Sequence, residues 1–164
     1  MKSLKDELTS ALRRLLNKKA LLCCSAPMLI AFPCAATQAS IRSEKKAIFA
    51  PVASLFEGIS SKNDALIKNA LQGEGTATLF RDGRFLRMSL GDLGQRLTAI
   101  VGSEDQLSEK MDAPLVRVDG NIAVVWGSYE AYKNGKLDHR GSNLFSLIKE
   151  GGSWHIVSIV DTSR

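Results

Sequence analysis

Four short turn signals constrain this chain more than anything else in it. Asp82-Gly83, Asp119-Gly120, Asn134-Gly135 and Gly151-Gly152 each separate runs rich in Val, Ile, Phe, Trp and Tyr. Such residue pairs tolerate the positive φ angles of two-residue hairpin loops, whose twist matches that of the strands they join. The last three signals fall close together, so the C-terminal segment is predicted as one antiparallel meander. Its four strands run from 114 to 118, 121 to 133, 136 to 149 and 153 to 161. Asp82-Gly83 adds a hairpin between strands near 76–81 and 84–89.

Helical periodicity precedes and interleaves these strands. Ile48, Val52, Leu55, Phe56 and Ile59 fall on one face of a helix over 44–60, which Pro51 either starts or kinks. Asn63 or Asp64 caps a shorter helix through Leu71, and Leu90, Leu93, Leu97 and Ile100 make a third that ends near Gly102. The polar segment SEDQLSEKMD reads as a loop or a helical extension. The expected fold class is therefore α+β: three helices packed in the concave face of a strongly curved mixed, mainly antiparallel six-stranded sheet.

The first 39 residues read as a cleavable signal peptide ahead of a single domain over 40–164. Basic Arg13, Arg14, Lys18 and Lys19 precede the apolar run from Ala20 to Phe32, and small residues follow up to Ala39. That run is 13 residues long and interrupted by Pro27, against about 20 for a spanning helix, so no stable membrane anchor is expected. Cleavage is expected between Ala39 and Ser40. Cys23, Cys24 and Cys34 all lie in this leader, so the mature chain has no cysteine, no disulfide and no thiolate metal site.

Charge follows the same division. Residues 1–39 carry six Lys and Arg against two Asp and Glu, so removing them lowers the net charge from +5 to +1. Without a basic face, nucleic-acid binding lacks its main electrostatic term. With two histidines and no phosphate-binding glycine loop, dinucleotide fingerprint or nucleophile elbow in the mature chain, no cofactor and no metal are expected.

Strand alternation sorts the long strand into Ala123, Val125, Gly127, Tyr129 and Ala131 on one face and Val124, Trp126, Ser128, Glu130 and Tyr132 on the other. The first set is small apart from Tyr129, so it is assigned to the interior of the curved sheet. Small residues there either let a helix approach or leave room for a ligand. Ala123, Val125, Gly127, Tyr129 and Asn143 are the candidate cavity residues, and Val124, Trp126 and Tyr132 then lie outside.

Titratable candidates are few. Pairing counted outward from Asn134-Gly135 brings His139 beside Tyr129 or Glu130, as a Tyr-His pair at a cavity mouth or as a histidine bonded to Asp138. Asp161 is either a base in the cavity or a surface partner of Arg164, with Ser158 as a further polar candidate. His155 reads as a packing or surface residue. Arg81, Arg84 and Arg87 crowd the first hairpin, with Arg81 and Arg87 expected on one side, either solvated or meeting an anion. The catalytic candidates are thus His139, Asp161 and Tyr129.

The order helix, helix, hairpin, helix, four strands resembles the cone-shaped nuclear transport factor two-like fold of SnoaL-type polyketide cyclases, ketosteroid isomerases and scytalone dehydratase. The resemblance covers Glu44 to Arg164. It is nearest the lumazine-binding branch, on Ile122 to Trp126, Tyr129, His139-x-Gly141, Trp154 and Ile156. The chain departs at Arg140, where relatives often carry cysteine, and at Gly127-Ser128, where a small-Pro pair is common. The resemblance implies a small apolar or aromatic ligand, and a homodimer paired back to back through the convex face around Trp126. It also implies a second class of function, an isomerase, cyclase or dehydratase in which His139 or Asp161 moves a proton and Tyr129 stabilises an oxyanion. A third is an interaction module using that convex face. The leader adds export from a bacterium, to the periplasm or beyond.

Overall fold

The computed structural model describes residues Ala35–Arg164. The leader's basic stretch, apolar run and three cysteines lie outside the described residues.

Helix α1 (Ala35–Ser61) runs through Pro51 and starts nine residues earlier than the apolar pattern, so Ala39 and Ser40 both lie within its first turns. Ile48, Val52, Leu55 and Ile59 form its buried stripe. Gly58 lets the next helix fold back closely, since a Cβ there would lie 2.8 Å from Ile67 Cγ1. That helix, α2 (Asp64–Ala70), is capped by Asn63, whose Oδ1 accepts from the amides of Ala65 at 3.1 Å and Leu66 at 3.3 Å.

The first hairpin is β1 (Thr76–Arg81) and β2 (Arg84–Ser89), followed by α3 (Leu90–Val101) with Ser89 as its N-cap. Leu90, Leu93 and Val101 are buried, whereas Ile100 is exposed, because the helix rolls its stripe toward Val101 in the last turn.

The sheet has seven strands, not six. The extra strand, β3 (Leu107–Met111), arises in the segment read as a loop or helical extension, and pairs antiparallel with Tyr129 to Lys133. The meander strands are β4 (Leu115–Asp119), β5 (Ile122–Lys133), β6 (Lys136–Glu150) and β7 (Ser153–Ser163). β4 covers β5 only from Ile122 to Trp126, and β3 takes over the remainder of the same edge. The order is β2-β1-β7-β6-β5-β3, antiparallel except where β1 runs parallel to β7. Positive φ at Asp82-Gly83, Asn134-Gly135 and Gly151-Gly152 confirms three of the predicted turn signals as primed hairpin loops.

Two bulges set the faces of the site-bearing strands. Asp138 is left without a partner, so Ala131 rather than Glu130 faces His139. Val157 is left out of the β6–β7 ladder in the same way. Because a one-residue slip moves a strand's side chains to the other face, the first bulge turns Asn143 toward the helices, and the second keeps Asp161 on that face opposite it. Asn143 consequently sits opposite both Gly127 and Asp161. The core lies between this face and the helices, joining Ile48, Val52 and Leu55 to Ala123, Val125, Phe145, Leu147 and Ile159.

Candidate functional site

On the helix-covered face, a pocket of about 70 Å³ opens between α1, α3 and the sheet. Leu55, Phe56 and Ile59 of α1 and Leu93 and Leu97 of α3 form one wall, with Leu79, Phe145 and Ile159 of the sheet opposite. Phe56 meets Phe145 edge to face at 6.1 Å between ring centroids. Its polar groups are Arg81, Glu109, Asn143 and Asp161, contributed by β1, β3, β6 and β7.

These groups are joined by short contacts. Asn143 Nδ2 donates to Glu109 Oε1 at 2.6 Å, and Arg81 Nη2 donates to Asp161 Oδ1 at 3.2 Å. Asn143 and Asp161 are buried, while the Arg81 side chain is 51% exposed and closes the cluster from outside. Burial, and then the negative Asp161 carboxylate, push the Glu109 carboxyl up to about 7, against the opposing effects of the Asn143 hydrogen bond and Arg81.

Tyr129 of β5 lies behind the pocket lining, close to the Asp161 and Glu109 carboxylates. Its side chain is 2% exposed, yet its hydroxyl has no hydrogen-bond partner among the described residues. Burial together with the Asp161 and Glu109 carboxylates raises its ionisation well above the ordinary phenol range. A buried hydroxyl left unpaired costs about 1–3 kcal/mol, and the Asp161 carboxylate is the acceptor close enough to act on this one. Gly141 makes room for it: a Cβ there would lie 2.6 Å from Tyr129 Cζ and would overlap the carbonyl oxygen of Thr162.

The other candidates fall as follows. His139 stands edge to face with Tyr129 at 5.8 Å between centroids, and its Nδ1 is 2.8 Å from Asp138 Oδ2. It is half-exposed and does not line the pocket. Asp161 pairs with Arg81; Arg164 instead exchanges backbone hydrogen bonds with Arg140. Ala123 and Val125 face inward but are covered by core side chains, and Gly127 is approached by Met111 and Pro114. Of the cavity candidates, Asn143 alone lines the pocket. Ser158 pairs with Ser146 on the outward face, and His155 is half-buried opposite Ile148. Arg87 lies opposite Thr78 and Arg81 opposite Arg84, so Arg81 and Arg87 occupy opposite faces, contrary to the expectation. Glu109 is the residue that sequence reasoning missed, because its strand was missed.

Outside the cone, Trp126 is 53% exposed, flanked by exposed Leu115 and half-buried Leu144, with exposed Val160 beyond. Val124 and Tyr132 share its face and are half-buried, and the Tyr132 hydroxyl donates to Glu130. A wider depression of about 260 Å³ is lined by Lys110, Tyr129, Glu130, Arg140 and Gly141 among others. It lacks the convergent apolar walls of the interior pocket, and its Arg140 is engaged by Glu130 at 2.9 Å. Among the described residues there is no group of three or more His, Cys, Asp or Glu able to hold a metal, and no helix long and apolar enough to cross a membrane.

A curled, mostly antiparallel sheet wrapped around three helices, with a pocket on its inner face, is the nuclear transport factor 2-like fold, and solved structures share it. A nuclear transport factor 2-like protein of unknown function from Silicibacter pomeroyi aligns at 19% identity and a TM-score of 0.60, covering 76% of this chain and 98% of that one. One from Shewanella baltica aligns at 16% and 0.57, covering 75% and 95%. A "putative dehydratase" of the same fold family from Streptomyces avermitilis aligns at 12% and 0.61, covering 76% and 98%. No functionally curated protein matches the chain. The family model described as "Putative lumazine-binding" matches residues 43–160, and the chain belongs to that family.

Proposed function

We propose that this protein is an exported small-molecule-binding domain whose ligand enters the pocket between α1, α3 and the sheet. The observation that carries this reading is the cluster of Arg81, Glu109, Asn143 and Asp161 beside otherwise apolar walls, with the Tyr129 hydroxyl buried behind the two carboxylates. A few convergent polar groups in an apolar cleft fix a ligand's orientation, while the walls supply most of the affinity. At about 70 Å³ the pocket is well below the ~300 Å³ of a common ligand site. The ligand therefore seats one end inside and lays the rest along the mouth. The family's description as lumazine-binding supports a small organic ligand, and the leader supports export. Exposed Trp126, with Leu115 and Val160 nearby, supports a homodimer paired through the convex face.

The test is native mass spectrometry on protein isolated from a bacterium that exports it. Wild type is expected to retain an organic species that Asn143→Leu loses, with both at dimer mass. Equal retention by the two would remove the pocket from consideration.

A second reading is proton-transfer catalysis, and the Glu109 carboxyl at about 7 favours it, since an acid-base group works best near the ambient pH. In that case Glu109 and not His139 moves the proton. Glu109→Gln would abolish turnover of the retained molecule while leaving its binding intact.

A further inference from the structure

The polar cluster has an imbalance that specifies its ligand. Among the described residues, the Glu109 carboxylate accepts one side-chain hydrogen bond, from Asn143, and the Asp161 carboxylate accepts one, from Arg81. Two carboxylates face one guanidinium, and that guanidinium is half in solvent. Every other element packed on the pocket adds no charge: α1 contributes Leu55, Phe56 and Ile59, and α3 contributes Leu93 and Leu97. Behind that lining, from β5, the Tyr129 hydroxyl is buried beside the Asp161 and Glu109 carboxylates, and it can both donate and accept. The site is thus rich in acceptors and carries one unit of negative charge when Glu109 is ionised.

The apolar walls also continue outward. Leu79 in the pocket pairs across the hairpin with Leu86, which is 45% exposed, and the Leu93-Leu97 stripe runs on to Ile100, 51% exposed. A ligand seated by a polar head therefore has a greasy rim on which to lay its body.

Resting on the small-molecule reading above, we infer that the pocket selects a small organic cation, a protonated amine with an apolar or aromatic body, its ammonium held between the Glu109 and Asp161 carboxylates and the Tyr129 oxygen. An ammonium has three donors and no acceptor, matching a site with the opposite surplus. Desolvating a cation is costly unless it is paired and hydrogen-bonded, and two carboxylates meet that requirement. An anionic ligand would face the net negative charge directly. A neutral carbonyl compound would need its acceptor met by Tyr129 or by Glu109 in its protonated form.

These alternatives differ in the sign of their coupling to protons. A cation competes with the proton on Glu109, so its binding weakens on acidification; a carbonyl ligand that needs protonated Glu109 tightens. With the Glu109 carboxyl at about 7, a cation should lose about tenfold in affinity between pH 8 and pH 6.

Calorimetric titration of the full chain with benzylamine, benzyl alcohol and benzoate, near-isosteres of different charge, tests this. Benzylamine is expected to bind at pH 8 at least tenfold more tightly than benzyl alcohol, with benzoate silent, and to weaken about tenfold by pH 6. At pH 6 it should release a proton, visible as a heat that depends on the buffer. Glu109→Gln should weaken benzylamine at least tenfold at pH 8 and flatten the pH profile; the wild-type profile remains the readout should that variant fold poorly. Benzyl alcohol binding as tightly as the amine, or tightening on acidification, overturns the cation inference and leaves the pocket reading standing. Silence from all three probes also overturns the cation inference, and the native mass measurement then judges the pocket reading separately.

Discussion

Replacing Glu109 by Gln should make the protein more stable at pH 8 than the wild type by more than it does at pH 4.5. The Glu109 carboxyl moves from an ordinary value of 4.5 to about 7 in the folded chain, a raised value caused first by burial and then by Asp161. Below pH 4.5 the group is protonated whether folded or not, and contributes no pH dependence. Between 4.5 and 7 the unfolded chain releases this proton while the folded chain keeps it, so stability falls as pH rises. Above 7 the loss is complete. A shift of this size corresponds to roughly 3 kcal/mol at about 1.4 kcal/mol per pH unit, reduced to the extent that the open mouth admits water. Gln keeps the shape and can meet Asn143 without titrating. The assay is urea unfolding of both proteins at several pH values between 4.5 and 8, with the difference between them as the quantity of interest, since other titrations cancel in it. A difference constant to within about 0.5 kcal/mol across that range would show that Glu109 is solvated, and would refute the account of the pocket as a dry polar cluster.

Three further outcomes follow from specific contacts. Gly141→Ala should destabilise by about 1–3 kcal/mol or more, because its Cβ would overlap the Thr162 carbonyl oxygen and crowd the Tyr129 ring; urea unfolding measures this, and a neutral effect would mean that β6 and β7 are loosely joined there. Asn63→Ala removes the cap of α2 and should cost about 1 kcal/mol by the same assay. Trp126→Glu should leave the folded monomer intact, since the side chain is already largely exposed, but lower the mass seen by sedimentation from dimer to monomer; an unchanged mass would remove the convex face from the proposed assembly.

The hairpins were legible because their turns are written in residues that accept positive φ, and the α1 stripe because its spacing repeats. β3 was not: LSEKM is polar and short, and it becomes a strand because β4 leaves half of the β5 edge uncovered. That is a tertiary cause, visible in sequence only as a twelve-residue strand beside a five-residue neighbour. Missing β3 meant missing Glu109. The bulges at Asp138 and Val157 were equally silent, since neither position carries glycine or any local cue. Without the first, counting from Asn134-Gly135 sets Asn143 level with Trp126 and His139 level with Glu130, so the expected place of Asn143 in the cavity had no support from register. Tyr129 was placed inward by alternation alone, but that its hydroxyl would lack a partner required the positions of four other strands.

The parallel pairing of β1 with β7 has a consequence for how the chain comes to exist. Arg81 meets Asp161 across 80 residues of sequence, so the polar cluster cannot assemble until β7 has been synthesised. Contacts of such long range slow folding, and the cluster stays open until β7 has docked beside β1. A truncation just before Asp161 would then leave most of the sheet's sequence in place and remove the partner of Arg81.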